Sequence, residues 1–444
     1  MAWDRAALGT LAALVAVRMV AGFQFHALAV VAPLLVAELG LSYTEAGSLI
    51  GAYVLPAVLL SIPGGVVIQR FGERPVLLAS LALTVAGGAL TALAPGFVSI
   101  FAARLVAGTG AALVQIVVLK MATDRFAGNR MSTATGTVLG AWPLGIALAL
   151  AVLGGVAQAG GWRVAVGVSA AYAIFALLAA WRLGRVFAGA ERQAAPGLPS
   201  ASAASAASAA SAASAASQAS AASPASAASP ASAASPASAA SAARGPAAER
   251  LAGLGPAVAI SLSWMVLNVG FTAFIAFAPT WLGSTGRSLE AAGFAVSLSG
   301  WALVLMQPWG GWLADRLGRP SLVLAIGCLG AGAAIALALA TGGAMPLFLL
   351  AGVAMGFTPG VMGARLALSA PPAQRAMAFA FFATGSGAGS MLGPSLAGLA
   401  VDITGAPEAA IALAAGLVVA ALLPWAWAQH LMARRAVRES LALR

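Results

Sequence analysis

The sequence predicts an all-α polytopic membrane protein whose twelve transmembrane helices form two pseudo-symmetric six-helix bundles, and three observations predict it. The first is composition: of 444 residues, 61% are hydrophobic and 8% are charged, with a mean hydropathy of +0.96. A soluble domain carries about 25% charged residues, so the three soluble domains that this length would suggest at ~150 residues each would lack the charge to cover their surfaces. The same argument excludes a membrane-anchored globular enzyme, because no long segment has globular composition. The second observation is spacing, with twelve apolar stretches long enough to cross a bilayer, for which about 20 residues are needed. The third is an internal duplication.

Taken in order, the first six stretches fall near 8–37, 45–68, 75–94, 97–121, 131–157 and 163–186. The second six fall near 256–282, 290–313, 320–341, 345–369, 376–401 and 407–431. The opening run MAWDRAALGTLAALVAV has the charged start of a leader, but it continues far past leader length without a clear small-residue cleavage site, so it reads as a retained first span. Short separators rich in turn formers or charges divide the spans, such as Glu38–Ser42, Ala94-Pro95-Gly96 and Thr404–Pro407. Residues 188–250 differ in kind: from Ser200 to Ala243 they are almost wholly Ser and Ala, with Pro224, Pro230 and Pro236 six apart. Serine at every third position leaves no apolar stripe and the prolines interrupt any helix, so this stretch reads as a flexible linker. The organisation is thus a six-helix half over 1–187, a Ser/Ala-rich linker over 188–250, and a second six-helix half with a basic tail over 251–444.

The halves repeat at an offset of 246 or 245: Phe25 matches Phe271, Pro33 matches Pro279, Gly47 matches Gly293, and Gly65, Arg70 and Gly72 match Gly311, Arg316 and Gly318. After a one-residue slip, Lys120 aligns with Arg365 and Arg130 with Arg375. A unit with an even number of spans repeats in the same orientation, so the halves are parallel and related by an axis along the membrane normal.

Charge then sets orientation. Lys and Arg number 23 against 12 acidic residues, a net of +11. Seventeen of the 23 fall on the side of both termini and the linker, only Arg163 and Arg287 fall on the other, and four lie inside spans. Basic loops mark the cytoplasmic side, so both termini and the linker are expected in the cytoplasm, and the surplus is not a nucleic-acid footprint. Heavy Ala use and 22 arginines beside one lysine suggest a GC-rich bacterial genome, hence a bacterial inner membrane. Cys328 stands alone and the only histidines are His26 and His430, so neither a disulfide framework nor the usual metal or haem constellation is available. No cofactor is implied, and no nucleotide-binding motif is present to hydrolyse ATP.

The connection after the second span reads GGVVIQRFGERP (Gly64 to Pro75), and its counterpart after the eighth reads GGWLADRLGRP (Gly310 to Pro320). The second copy resembles the G-x-x-x-D-R-x-G-R loop of the major facilitator superfamily. Its Asp315 and Arg316 can make charge-assisted bonds that latch one conformation. In the first copy Gln69 stands before Arg70, where the Asp would be, so a latch there is weaker. Arg104-Leu-Val-Ala-Gly108-Thr-Gly110 resembles the superfamily's R-x-x-x-G-x-G motif, and Gly140–Gly145 and Gly389–Pro394 resemble its Gly/Pro-rich fifth-helix element and that element's repeat. The resemblance covers the chain outside the linker and implies a transporter. The strings Arg18–His26 and Gly51–Pro56 look like the cyanate/nitrite-type branch.

Ionisable residues inside spans cost at least ~2.5–3.5 kcal/mol at the bilayer centre. Four cations sit there, Arg18, Arg104, Lys120 and Arg365, while the carboxylates sit at span ends. Buried cations without anions call for an external anion. Arg18 lies thirteen residues past Arg5, ~20 Å along a helix and so near the midplane. Gly22 and His26 follow on its face at i+4 and i+8. On one reading Arg18 binds a substrate anion, Gly22 lets it approach and His26 bonds it or carries a coupled proton; on the other, Arg18 bonds the carbonyls of a neighbouring helix. The superfamily resemblance assigns Arg104 to proton coupling, against a structural role at adjacent helix ends. Lys120 and Arg365 either draw anions to an inner mouth or snorkel to the interface. Tyr53, Trp142, Trp264, Asn268 and Gln307 are candidate cavity linings, and Trp264 aligns with Arg18. Gly385, Gly389 and Gly393 form a small-residue ridge for close packing.

The expectation is therefore a monomeric secondary transporter, not an enzyme, working by alternating access. Its partners are the bilayer and a small anion, cyanate-like or a small carboxylate, with proton or anion coupling. Proton-coupled efflux of drugs or metabolites is the alternative transport reading, and a transport-dead receptor or scaffold is the alternative of another class.

Overall fold

Hydrocarbon offers no hydrogen bonds, so a spanning chain must satisfy its backbone within itself, and helices do this. The computed structural model describes residues 5–60, 63–126, 131–182, 254–370 and 374–442, and the Ser/Ala linker lies outside them. The described regular structure is helical: α1 (Arg5–Leu39), α2 (Tyr43–Ala52), α3 (Leu55–Leu60), α4 (Pro63–Phe71), α5 (Glu73–Leu93), α6 (Phe97–Arg125), α7 (Met131–Arg182), α8 (Gly255–Ser284), α9 (Leu289–Leu317), α10 (Pro320–Ala340), α11 (Met345–Gly356), α12 (Thr358–Ser369), α13 (Arg375–Thr404), α14 (Glu408–Ala420) and α15 (Leu422–Ala442).

Among the described residues ten helices are long and apolar enough to cross a bilayer. The helix α7 is two of the twelve spans: at Gly161 the backbone turns to φ 81°, ψ 172°, and one crossing ends and the next begins. Only glycine takes that conformation without strain. The 30-residue α13 completes the twelve. Three spans are interrupted, each shortly before a proline, the twelfth at Ala421 before Pro424. Proline removes the bond to the carbonyl four residues back and crowds it; the second span breaks at Tyr53–Val54, just before Pro56, and the tenth at Phe357, just before Pro359.

Large apolar side chains cover the outside, with Val98 and Leu93 each 79% exposed and Ile403 75% exposed, which a bilayer accommodates and water does not. Inside, one buried cluster runs through both halves, from Phe25, Leu35 and Trp162 to Phe274, Trp281 and Phe348. A separate cluster (Leu14, Val17, Ile68, Leu77, Val117, Ala176) belongs to the N-terminal half alone. It lies toward the face that carries Arg70 and Arg182, hereafter the basic face, while the opposite face is the far face.

At the far face the halves touch closely. A Cβ on Gly47 or Gly51 of α2 would overlap backbone of Pro394 or Met391 in α13, and one on Gly293 of α9 would overlap the Leu150 carbonyl of α7. Tyr43 and Phe277 pack with ring centroids 6.3 Å apart. Within the N-terminal half, Glu38 accepts from Trp162 Nε1 at 2.9 Å and pairs with Arg163, tying the end of α1 to the turn at Gly161.

Candidate functional site

Between the halves lies a cavity of about 700 Å³. The helices α1, α3, α6 and the first part of α7, with Tyr53 and Val54 between α2 and α3, line it from one half, and α8, α9, α11, α12 and α13 from the other; the third and sixth spans of each half contribute no lining residue. It extends toward the basic face as far as Met377, the third residue of α13. No carboxylate lines it among the described residues.

Helical period brings Arg18 and His26 to its wall together, two turns apart on α1. Both line the cavity, as do Tyr53, Trp142, Asn268 and Gln307. Three of these lining residues carry buried polar atoms with no partner in the protein, as Gln24 Oε1, Thr135 Oγ1, Thr280 Oγ1 and Arg365 Nε do away from the cavity. Arg18 is 3% exposed, and its Nε and Nη1 have no partner in the protein. Both ring nitrogens of His26 and the Tyr53 hydroxyl are equally buried and unpaired. Buried polar groups are overwhelmingly hydrogen-bonded, so three unmet groups on one wall leave hydrogen-bonding capacity facing the cavity.

Arg104 is the contrast. Its guanidinium donates to the carbonyls of Gln24 (2.8 Å), Leu49 (3.0 Å), Phe25 (3.0 Å) and Ile50 (3.2 Å), and its Cζ lies 4.4 Å from the centroid of the Tyr53 ring. Its charge is spent clamping α1 to α2 beside the His26 wall. Gln24 also turns from the cavity, donating to the carbonyls of Thr84 (3.3 Å) and Ser169 (3.4 Å).

Other expected residues sit elsewhere. Gly22 does not line the cavity: a Cβ there would overlap the Trp142 carbonyl, so the glycine admits α7, not a substrate. Sequence period shows which residues share a face but not which neighbour that face meets. Lys120 is not a cation without anions; it pairs with Glu73 and, at 2.7 Å, with Asp124. Asp124 is its i+4 neighbour, while Glu73 arrives from α5. Arg365 donates to Gln429 Oε1 at 2.8 Å and is not a lining residue. Gln69, Arg70, Asp315 and Arg316 are exposed at the basic face. Arg70 lies 5.6 Å from the Phe71 ring centroid and Arg316 5.1 Å from that of Trp312. Neither arginine is ion-paired with Asp315 among the described residues.

Trp264, a candidate lining by sequence, does line the cavity, while Gln115, Thr384, Ser386 and Ser390 were not anticipated. Trp264 stacks on Phe382 with centroids 5.0 Å apart and planes 6° apart, giving the C-terminal wall a flat aromatic surface. Gln115, Thr384, Ser386 and Ser390 add polar groups. The one available signal was their polarity inside apolar spans, and in α13 it was masked by the Gly ridge. That ridge packs as expected, with a Cβ on Gly385 or Gly389 meeting the carbonyl of Ser261 or Met265 in α8.

Comparison with known proteins adds two findings. A family model described as Major Facilitator Superfamily matches residues 14–210 and 260–440. Over 138 residues the chain is 28% identical to the hexuronate transporter of Bacillus subtilis (strain 168), a match covering 31% of this chain and 33% of that protein. The match therefore spans about a third of the relative's length.

Proposed function

Because the chain belongs to the Major Facilitator Superfamily, we propose that it is a secondary active transporter that moves a small organic anion by exposing the cavity around Arg18 to each side of the membrane in turn. The observation that carries this reading is Arg18, a buried guanidinium with unmet donors on a wall without a carboxylate. An unpaired buried cation is costly, and a carboxylate accepting bidentately from it relieves that cost. An organic cation would meet the opposite electrostatics.

Size supports an organic cargo. A cavity of about 700 Å³ lies in the range that holds ring-sized ligands, ~300–1,000 Å³, and far exceeds what a triatomic inorganic anion fills. Its wall offers the Trp142 and Trp264 rings for apolar ring faces, and Asn268, Gln307, Thr384 and Ser390 for hydroxyls. The relative's name makes hexuronate its cargo; a carboxylate carrying a hydroxylated ring suits this wall, and a sugar-acid anion is the class proposed here.

In the proposed cycle the carboxylate docks on Arg18, Tyr53 donates its free hydroxyl, and His26 carries the coupled proton beside the bound anion. The distribution of arginines supports the basic face as cytoplasmic, in a bacterial inner membrane, so the conformation described is open inward. The Ser/Ala stretch acts as a tether between the halves. The test is uptake of labelled glucuronate or galacturonate into liposomes holding the purified protein. Saturable uptake above empty vesicles, lost in Arg18→Gln, is expected. With His26→Gln, a pH gradient should no longer drive accumulation while exchange across the membrane persists. If no carboxylate moves faster than through empty vesicles, the reading fails.

A further inference from the structure

The far-face seam has a polar end that the cavity does not explain. An α-helix begins with four backbone N–H groups that have no partner within it. In α2 these belong to Ser42, Tyr43, Thr44 and Glu45. Two are satisfied locally by a capping box: Ser42 N donates to Glu45 Oε2 at 2.8 Å, and Glu45 N donates to Ser42 Oγ at 3.1 Å. The other two are satisfied by the opposite half of the molecule. Tyr43 N donates to Asp402 Oδ1 at 2.9 Å, and Thr44 N donates to Asp402 Oδ2 at 2.7 Å, joined by the Thr44 hydroxyl at 2.5 Å. Asp402, near the end of α13, thus completes the N-terminus of a helix 358 residues away.

The location makes this contact a gate. A Cβ on Gly398 would overlap the backbone of Tyr43, and Gly47 and Gly51 seat α2 against Pro394 and Met391. Toward the basic face, past the contact of Val58 with Gly387, the continuation of this span in α3 parts from α13: Ala57 of α3, and Met377 and Ala380 of α13, line the cavity. The two helices are joined at one end and splayed at the other. Opening the far face would part α2 from α13, break three hydrogen bonds together and leave the N–H groups of Tyr43 and Thr44 without their carboxylate.

We propose that Asp402 is the electrostatic latch of the far-face gate, a carboxylate from one half held by the helix N-terminus of the other, which sets the balance between the two access states. The proposal rests on the alternating-access reading above, but not on the identity of the cargo. The pair is charge-assisted and sits where the helix dipole favours an anion, so neutralising it shifts the equilibrium without touching the cavity.

The test measures conformation without cargo. In a Cys328→Ala background, spin labels at Gln158→Cys and Ala340→Cys, both exposed near the far face, report the distance between halves in nanodiscs. Asp402→Asn should raise the ratio of far-face-open to far-face-closed molecules about two- to fivefold. Thr44→Val, which removes one of the three donors, should produce a smaller shift in the same direction. Asp402→Glu in the same pair should fall between wild type and Asn. An unchanged distance distribution in a monodisperse Asp402→Asn protein would overturn the latch. A shift seen in protein that transports no carboxylate would leave the latch standing and overturn the cargo reading instead.

Discussion

The helices α1 and α8 occupy equivalent places in the two halves and present opposite chemistry to the same cavity. At the 246-residue offset, Arg18, Gly22 and His26 stand against Trp264, Asn268 and Thr272. Five of the six line the cavity, Gly22 being the exception, and it is at the wall that the matched positions diverge. On α1 the wall has unmet donors at Arg18 and His26. On α8 it is an aromatic plane stacked on Phe382, with Asn268 and Thr272 bonded within the helix at 2.7 and 2.6 Å. Duplication supplied a symmetric scaffold, and departure from symmetry at the wall supplied one side with unmet polar groups and one flat aromatic side. A cavity with Arg18 on both sides would repel itself; one with Trp264 on both would have no anchor.

The largest effect that would sharpen this contrast is Arg18→Gln, which should weaken carboxylate binding about thirtyfold or more, the order seen when one partner of a buried charge pair is removed. Equilibrium binding of labelled glucuronate to detergent-solubilised protein checks it, and an unchanged Kd would move the anchor off α1. Next in size is the comparison of two arginines. Arg104→Leu should destabilise the protein by about 2 kcal/mol or more, since it removes charge-assisted bonds to four carbonyls. Arg18→Leu should leave the thermal midpoint unchanged or raise it, because an unpaired buried charge is replaced by an apolar group. Equal losses of thermal stability in the two variants would erase the distinction between clamp and ligand. On the aromatic side, Trp264→Ala should cost roughly three- to tenfold in affinity for a ring-bearing carboxylate and little for acetate, tested by competition. Deleting Ser200–Ala243 should leave uptake per folded molecule unchanged, and loss of uptake at normal expression would contradict the tether.

The smallest effect concerns pH at the far face. Burial alone would raise the Asp402 carboxyl, but hydrogen bonds from the Thr44 hydroxyl and the Thr44 and Tyr43 amides outweigh it and hold the group below its ordinary range. A depressed carboxylate keeps its interaction above that range and loses it only as pH falls below. The spin-label distances should therefore stay constant from about pH 8 to about pH 5. Opening within that window would assign the pH response to a different group.

Much of the fold was legible because hydropathy and glycine placement are local. The twelve spans, the turn before Arg163 and the packing ridge of α13 follow from residues close in the chain. Arg18 and His26 were legible as a pair because eight residues of helix return to nearly the same side. The role of Arg104 was open because its partners are carbonyls, which every residue carries and no sequence distinguishes. Lys120 looked unpaired because Glu73 lies 47 positions away at a helix end. Gly22 was read as an approach for substrate because its neighbour, Trp142, belongs to another span.

By itself, the sequence determined that this chain crosses a bilayer twelve times in two parallel halves and that a few cations lie within the spans. Those conclusions rest on transfer free energies and on helical period, which depend only on residue type and near neighbours. The tertiary structure alone decided which cations keep unmet donors, which glycine serves a seam and which carboxylate closes the far face. Each of these depends on what lies across the gap between helices, and the contact from Asp402 to the start of α2 spans 358 residues of chain.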